Sequence, residues 1–309
     1  MAQSEPVVLV NDLIARAVRV PDRNGMQPVL VGEHGAPATG WRAELALRYE
    51  RRGTRTVLAA RRHAGPMLVQ KAFYPEGEDV CHGIVLHPPG GIVGGDQLTL
   101  DVAVGPQARA LLTTPGATKW YRSAGAEARL SVRFHVAPGA ALEWLPQPTI
   151  AFDRMLGRSD CAIEVDEEGC YIGWELLCLG RTASGERLRE GRFLTSTQVA
   201  RAGVPLWIER AAIEGGSRLL DSPVGLDGHP ISGTLVAVAR RMPPDLIAAC
   251  KAVRPGHGRC GVTRLPGLIV ARYLGDRAEA AFGYFVDLWK ILRPALLDRD
   301  AAPPRIWRT

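Results

Sequence analysis

Apolar and polar residues alternate along several stretches of this chain. Every second residue from 41 to 49 is apolar, and the same period of two returns at 98–104 and 130–136. This period is typical of a β-strand with one buried face. Further apolar runs, separated by turn residues, lie near 67–73, 108–114, 140–145, 171–179, 192–200, 205–213, 233–239 and 268–273. Many short strands at spacings of roughly 8–15 residues predict an all-β fold rather than alternating strands and helices.

Two segments depart from the strand pattern and predict about two helices, one of them near the C-terminus. Pro243 and the residues after it are suited to open a short helix that runs to Val253. The second helix covers residues 276–293, and we expect Pro294 to end it. Its apolar face, which we expect to pack on the protein's own sheet, holds Ala281, Phe282, Phe285, Leu288, Trp289 and Leu292. Arg293 is predicted to lie off that face.

The domain organisation follows from where the strand pattern begins. Residues 1–40 carry glycine, proline and mixed charge without a sustained period, and we interpret them as an irregular N-terminal arm. No low-complexity linker or composition shift follows residue 41. Residues 41–309 are therefore expected to form a single β domain.

Composition narrows the class of protein further. Of the 309 residues, 46% are hydrophobic and 23% charged, values of an ordinary globular protein. The six cysteines include no C-x-x-C pair, which favours free thiols in a reducing compartment. The N-terminus lacks the pattern of a signal peptide, and no long apolar segment follows, so we expect a cytoplasmic protein.

The net charge of +6 permits an acidic partner without requiring one. Arginine is spread along the whole chain instead of forming a basic stripe with aromatic residues between, so a solvated face is the preferred interpretation. A nucleic-acid-binding module stays open as an alternative, and a steep salt dependence of RNA binding would be its mark.

The glycine-rich stretch 82–96 resembles a phosphate-binding loop only at first sight. Its spacing fits part of a P-loop, but Asp96 and Gln97 replace the required Lys and hydroxyl residue. The dinucleotide fingerprint fails as well, because Ile92 stands where its second glycine belongs. We expect no bound nucleotide, and a structural role at a closely packed crossing for Gly90, Gly91, Gly94 and Gly95.

Soft metal ligands are few. Cys81, His82 and His87 are the best candidates by residue type, but they lack a fourth ligand at the spacing of a zinc site. They are kept as secondary metal-contact candidates. Together with Asp96 they also define an alternative function, a β-sheet metallohydrolase.

Four carboxylates lie in or directly beside apolar segments: Asp96, Glu143, Asp153 and Glu175. An acid in such a position faces solvent or lines a wet space, because an unpaired buried charge is costly. If several lined one interior passage, they would hold a divalent cation weakly and let it move on.

Four sequence blocks, taken together, carry a resemblance to a known family. They are Leu86-His-Pro-Pro-Gly-Gly-Ile-Val-Gly-Gly-Asp96, Thr113-Thr-Pro-Gly-Ala-Thr-Lys-Trp-Tyr-Arg-Ser123, Leu142-Glu-Trp-Leu-Pro-Gln-Pro-Thr-Ile-Ala-Phe-Asp153 and Trp174-Glu-Leu-Leu-Cys-Leu-Gly-Arg181, the last followed by Gly185-Glu186. In their order and separation the chain resembles the UreD (UreH) family of urease accessory proteins, from about Trp41 to Arg293–Pro294. The first forty residues lie outside the resemblance.

The resemblance implies that the chain folds as an elongated, β-helix-like stack of sheets. It also implies that the protein is not an enzyme. It also implies binding to UreF, which carries the GTPase UreG, and docking of the assembly on the urease apoprotein to deliver nickel. No permanent cofactor is expected; nickel would be in transit through a water-filled passage. The nickel-passage candidates are Asp96, Asp153, Glu143 and Glu175, with the first two ranked highest because they close motif blocks. Arg181, which closes the fourth block, joins the four glycines as a structural motif residue.

Overall fold

The computed structural model describes residues 40–308, so the predicted N-terminal arm lies outside the described residues except for Gly40. Seventeen strands form two sheets in this part of the chain. The strands are β1 (Arg42–Arg52), β2 (Arg55–Ala64), β3 (Leu68–Val69), β4 (Val80–Leu86), β5 (Gln97–Val104), β6 (Arg109–Thr113), β7 (Thr118–Trp120), β8 (Ala128–Val136), β9 (Ala141–Trp144), β10 (Thr149–Ala151), β11 (Leu156–Val165), β12 (Cys170–Leu179), β13 (Arg192–Arg201), β14 (Val204–Glu214), β15 (Ile231–Val238), β16 (Arg259–Leu265) and β17 (Leu268–Gly275).

Between β4 and β13 the long strands alternate between the two sheets, so that the backbone winds in stacked coils. The first sheet has the order β14-β13-β11-β8-β5-β1-β2, and the second runs β16-β17-β15-β12-β9-β6-β4-β3 with β7 and β10 beside it. Strands of successive coils pair in parallel, β5–β8–β11–β13 in one sheet and β4–β6–β9–β12 in the other. This confirms the predicted all-β, β-helix-like stack of sheets.

The two sheets differ in how their faces are covered. The first sheet has one face toward the core, which explains the alternation seen in the sequence: Ala43, Leu45, Leu47 and Tyr49 are all buried. Trp41 shares the period but precedes β1 and is exposed. The second sheet is covered on both faces, and its strands therefore appear as continuous apolar runs such as 171–179.

Three α-helices lie in the described residues: α1 (Arg218–Asp221), α2 (Leu246–Ala252) and α3 (Ala278–Leu297). The second and third confirm the predicted helices, while the first is too short to show a helical period in the sequence. The apolar face of α3 packs on the outer face of the second sheet, as expected, with Phe285, Leu288 and Trp289 fully buried. The single turns Thr182–Ser184 and Arg305–Arg308 are 3₁₀-helical.

The predicted end of α3 is wrong. Pro294 lies inside the helix, which continues to Leu297 before Asp298 adopts a left-handed conformation. Proline removes one N–H donor from the helix, but the extra turn is held by other contacts. Leu297 is buried, and its carbonyl oxygen accepts a hydrogen bond from Arg109 Nη1 at 3.2 Å. None of the helices within residues 40–308 combines the length and apolarity required to span a bilayer.

Candidate functional site

The glycine-rich turn is a packed corner of the first coil. A side chain at Gly91 would overlap the ring of Tyr121, and Gly90 and Gly95 have positive φ angles of 77° and 92°. The Ile92 N–H donates to the carbonyl of Lys119 at 2.7 Å. This donor is satisfied within the protein, which leaves it unable to hold a phosphate.

Gly94 is equally confined, because a side chain there would overlap the Ser123 hydroxyl. The buried carboxylate of Asp96 closes the same turn by accepting the N–H groups of Trp41 at 2.8 Å and Val93 at 2.9 Å. Asp96 thereby ties the residue just before β1 to the turn that leads into β5.

Asp153 occupies a second corner, between β10 and β11. Its carboxylate accepts the N–H groups of Arg189 at 2.7 Å and Glu190 at 2.9 Å. Partial burial opposes ionisation, but these backbone donors outweigh it and the pKa of Asp153 is lowered. The Asp153 N–H in turn donates to Glu186 at 2.7 Å, and Glu186 forms an ion pair with Arg181. Asp153 and Arg181 thus belong to one hydrogen-bonded corner.

Glu143 is part of a buried polar network between the second sheet and α3. Its carboxylate accepts the Trp289 indole N–H at 2.6 Å and Arg293 Nε at 3.0 and 3.1 Å. Arg293 Nη2 also donates to Glu76 at 2.7 Å, and the same Glu76 oxygen lies 2.5 Å from His82 Nε2. Arg293 is 0% exposed, so its predicted position away from the packed face is wrong; the two acids keep its charge buried.

The two acids of this network titrate in opposite directions. Burial raises the pKa of Glu143, and the neighbouring Arg293 charge and Trp289 donor offset this only in part. Burial also acts to raise the pKa of Glu76, but the His82 hydrogen bond and the Arg293 charge outweigh it, and that pKa is lowered. The network joins α3 to β4 and β9.

The soft metal candidates are not brought together. Cys81 and His82 are neighbours on β4, so their side chains point to opposite faces. Cys81 packs in the core between the sheets, whereas His82 faces Glu76 and the α3 side. His87 lies beyond the end of β4. Residues 40–308 contain no group of three or more His, Cys, Asp or Glu side chains placed to hold a metal ion, which removes the geometric basis of the metallohydrolase alternative.

Glu175 lies elsewhere, in a cavity of about 480 Å³ between the two sheets. Two cross-strand rows of polar residues face each other there. On β11, β13 and β14 the row is Cys161, Thr197 and Glu209; on β12, β15 and β17 it is Glu175, Thr234 and Arg272. Small side chains in the adjacent row of the first sheet, at Ser159, Thr195 and Ala211, leave the space unfilled.

The two carboxylates that line the cavity differ in their partners. Glu209 forms an ion pair with Arg272 and accepts the Thr234 hydroxyl at 3.4 Å. Glu175 has no hydrogen-bond or ion-pair partner within the described chain. Its side chain faces the cavity and keeps accessible surface there. Enclosure between the two sheets removes bulk water from around the carboxylate, and this loss of hydration, reinforced by the charge of Glu209, raises the pKa of Glu175 to about 7.

Burial also raises the pKa of the Cys161 thiol, with a smaller effect from Glu175. The cavity therefore offers one paired carboxylate, one unpaired carboxylate and a neutral thiol. Two hard oxygen ligands of this kind suit weak binding of a divalent cation. Of the four carboxylates selected from the sequence, Glu175 is the one that lines this cavity; Asp96, Glu143 and Asp153 accept hydrogen bonds elsewhere.

Glu209 was missed in the sequence, although the signal that selects Glu175 applies to it. Both are single acids inside apolar strand segments, and Glu209 lies within the run 205–213. Arg272 gives no comparable signal, since arginine is common throughout the chain.

The stacked parallel coils define the chain as a β-solenoid protein. A family model for the UreD urease accessory protein matches residues 42–308. The UreD of Azoarcus sp. (strain BH72) is 51% identical over 274 residues, covering 89% of this chain and 96% of that protein. The UreD of Dechloromonas aromatica (strain RCB) is 49% identical over 286 residues, 91% of this chain and 98% of that protein.

The UreD of Pseudomonas aeruginosa (strain PAO1) is similar at 48% identity over 270 residues, which cover 87% of this chain and 95% of that protein. This chain belongs to the UreD family of urease accessory proteins. The resemblance drawn from the four sequence blocks is confirmed.

Proposed function

We infer that this chain is a non-enzymatic maturation factor that passes nickel toward urease through the cavity between its two sheets. The observation that carries the proposal is the facing pair Glu175 and Glu209, one carboxylate unpaired and one held by an arginine. Carboxylate oxygens accept hard and borderline divalent cations. Two of them without a compact His/Cys cage favour weak binding, which suits an ion that must leave again.

The position of the cavity at the edge of the second sheet supports the same proposal. The cavity reaches the edge strand β16, where Arg259, Cys260 and Gly261 line it. These three residues also line a second cleft, together with Lys251 and Arg254 on the outer side. The shared residues place one end of the cavity directly beside the protein surface.

The proposed partners are those expected of a UreD-family protein: UreF, UreG bound through UreF, and the urease apoprotein, all in the cytoplasm. In this arrangement GTP hydrolysis belongs to UreG. The turn that holds Gly90 to Asp96 fits this division of labour, because the Ile92 and Val93 N–H groups are already bonded to Lys119 and Asp96.

The other acidic candidates have a different place in the proposal. Asp96, Asp153 and Glu143 support the fold around the passage, since each carboxylate already accepts two or more N–H groups. Direct contact of these three with nickel stays a prediction.

The test is nickel-dependent urease activation in cells that express urease with its accessory proteins. We expect Glu175→Gln and Glu209→Gln to lower activation while the complex with UreF still forms in gel filtration. Glu214→Gln is the matched control, because Glu214 lies on the same strand as Glu209 but is exposed. Full activation by the Glu175→Gln/Glu209→Gln double variant would overturn the proposal.

A further inference from the structure

Arg272 bridges the two rows that face the cavity. It belongs to β17 in the second sheet, yet its guanidinium forms an ion pair with Glu209 on β14 in the first. The Arg272 side chain is 54% exposed and that of Glu209 is 28% exposed. Arg259, the other cation of the cavity wall, is paired with Asp227 at 2.7 Å. Arg272 is therefore the counterion of the acidic pair.

We propose that Arg272 is a displaceable counterion, which occupies the cation position at Glu209 until a divalent metal ion enters and takes that carboxylate from it. Arg272 then sets how weakly the cavity holds its metal. The inference rests on the proposed function, since it regulates the same site, but it makes a separate claim about binding.

The Arg272–Glu209 ion pair is weak enough for a divalent cation to replace the arginine. A solvent-accessible pair of single charges contributes little net stabilisation, because both groups keep much of their hydration. A divalent cation between Glu209 and the unpaired Glu175 interacts with two carboxylates at once, so it outcompetes the arginine.

The displaced guanidinium also has a second partner within reach. It lies 5.8 Å from the ring of Trp207, which is on the same strand as Glu209. A cation over an aromatic face is stabilised by the ring quadrupole. Arg272 can therefore leave the carboxylate without leaving the cavity wall.

Removing the arginine should strengthen metal binding. With Arg272 absent, Glu209 has lost its ion-pair partner, and an incoming ion meets no competing cation at that carboxylate. We expect Arg272→Gln to lower the Kd for nickel by about two- to fivefold, a factor set by the modest strength of an accessible ion pair. Arg272→Lys, which keeps the charge, should stay near the wild-type value.

The experiment is equilibrium dialysis of the full-length chain against Ni²⁺ at pH 8, with circular dichroism to verify folding. Arg210→Gln is the control: it removes the same charge from the residue beside Glu209, but on the exposed outer face, and should leave the Kd unchanged. Adding Glu209→Gln to Arg272→Gln should abolish the gain.

An Arg272→Gln variant that binds nickel no more tightly than wild type would overturn the inference, as would an equal gain in Arg210→Gln. Should Arg272→Gln fail to fold, a Kd for Arg272→Lys several-fold away from wild type would contradict it in the same way. The outcomes separate the two proposals. If Arg272→Gln binds nickel more tightly but Glu175→Gln/Glu209→Gln activates urease fully, the counterion role is supported and the nickel route is overturned. If Arg272→Gln binds nickel as wild type does and Glu175→Gln/Glu209→Gln fails to activate urease, the nickel route is supported and the counterion role is overturned.

Discussion

Replacement of Arg293 by methionine tests the buried network that joins α3 to the second sheet. Arg293 is 0% exposed and bonds to Glu143 at 3.0 and 3.1 Å and to Glu76 at 2.7 Å. Methionine fills much of the same volume but leaves both acids without their cation. Breaking a buried ion pair from one side costs about 3–5 kcal/mol. We expect a loss of that size in the free energy of unfolding, measured by urea titration at pH 7.

The stability loss of Arg293→Met should depend on pH. Without Arg293, the folded-state pKa of Glu143 should lie still further above its unfolded value, because burial disfavours the charged form and the offsetting cation is gone. Stability is then fully present below the unfolded pKa and is lost as the pH rises through the folded one. The deficit of Arg293→Met should therefore be larger at pH 8 than at pH 5.

Two further variants make the test specific. Lys290→Met removes an exposed cation from the same helix, and its pair with Asp287 should contribute less than about 1 kcal/mol. Adding Glu143→Gln to Arg293→Met removes one stranded charge and should recover part of the loss. A deficit below about 1 kcal/mol for Arg293→Met, or one that is equal at pH 5 and pH 8, would refute the reasoning.

Three other predictions concern the cavity and the glycine-rich turn. Glu175 has a folded pKa of about 7, above its ordinary value, so its contribution to stability is lost as the pH rises from 5 to 8; Glu175→Gln should flatten that dependence in urea titrations, and an unchanged slope would contradict it. Gly91→Ala should destabilise by roughly 1–3 kcal/mol because the added methyl overlaps Tyr121, whereas Gly116→Ala, in open space, should be near neutral by thermal unfolding; equal effects would contradict this. Asp96→Ala should cost about 1–3 kcal/mol by leaving two N–H groups unpaired, and hydrogen exchange at Trp41 should speed up; unchanged protection there would speak against it.

The strands of the first sheet could be predicted because one face of that sheet is exposed to solvent. The alternation in 41–49, 98–104 and 130–136 records the difference between solvent and core. The second sheet has apolar contacts on both faces. The sequence therefore indicates where its strands lie, but not which of their side chains face the other sheet.

The site was harder to predict, since it depends on register between strands that are distant in sequence. Glu175 could be selected as an acid in an apolar run, but its facing partner Glu209 and the counterion Arg272 are set by pairings across β13–β14 and β15–β17. The same limit explains Arg293, whose burial depends on acids more than 100 positions away in the chain.

Binding of nickel in the cavity can be tested by anomalous diffraction at the nickel absorption edge from crystals of the full-length chain soaked in Ni²⁺. We expect an anomalous peak inside the cavity, between the carboxylates of Glu175 and Glu209, with Arg272 turned away toward Trp207. Peaks confined to surface histidines, with the Arg272–Glu209 pair intact at saturating nickel, would contradict it.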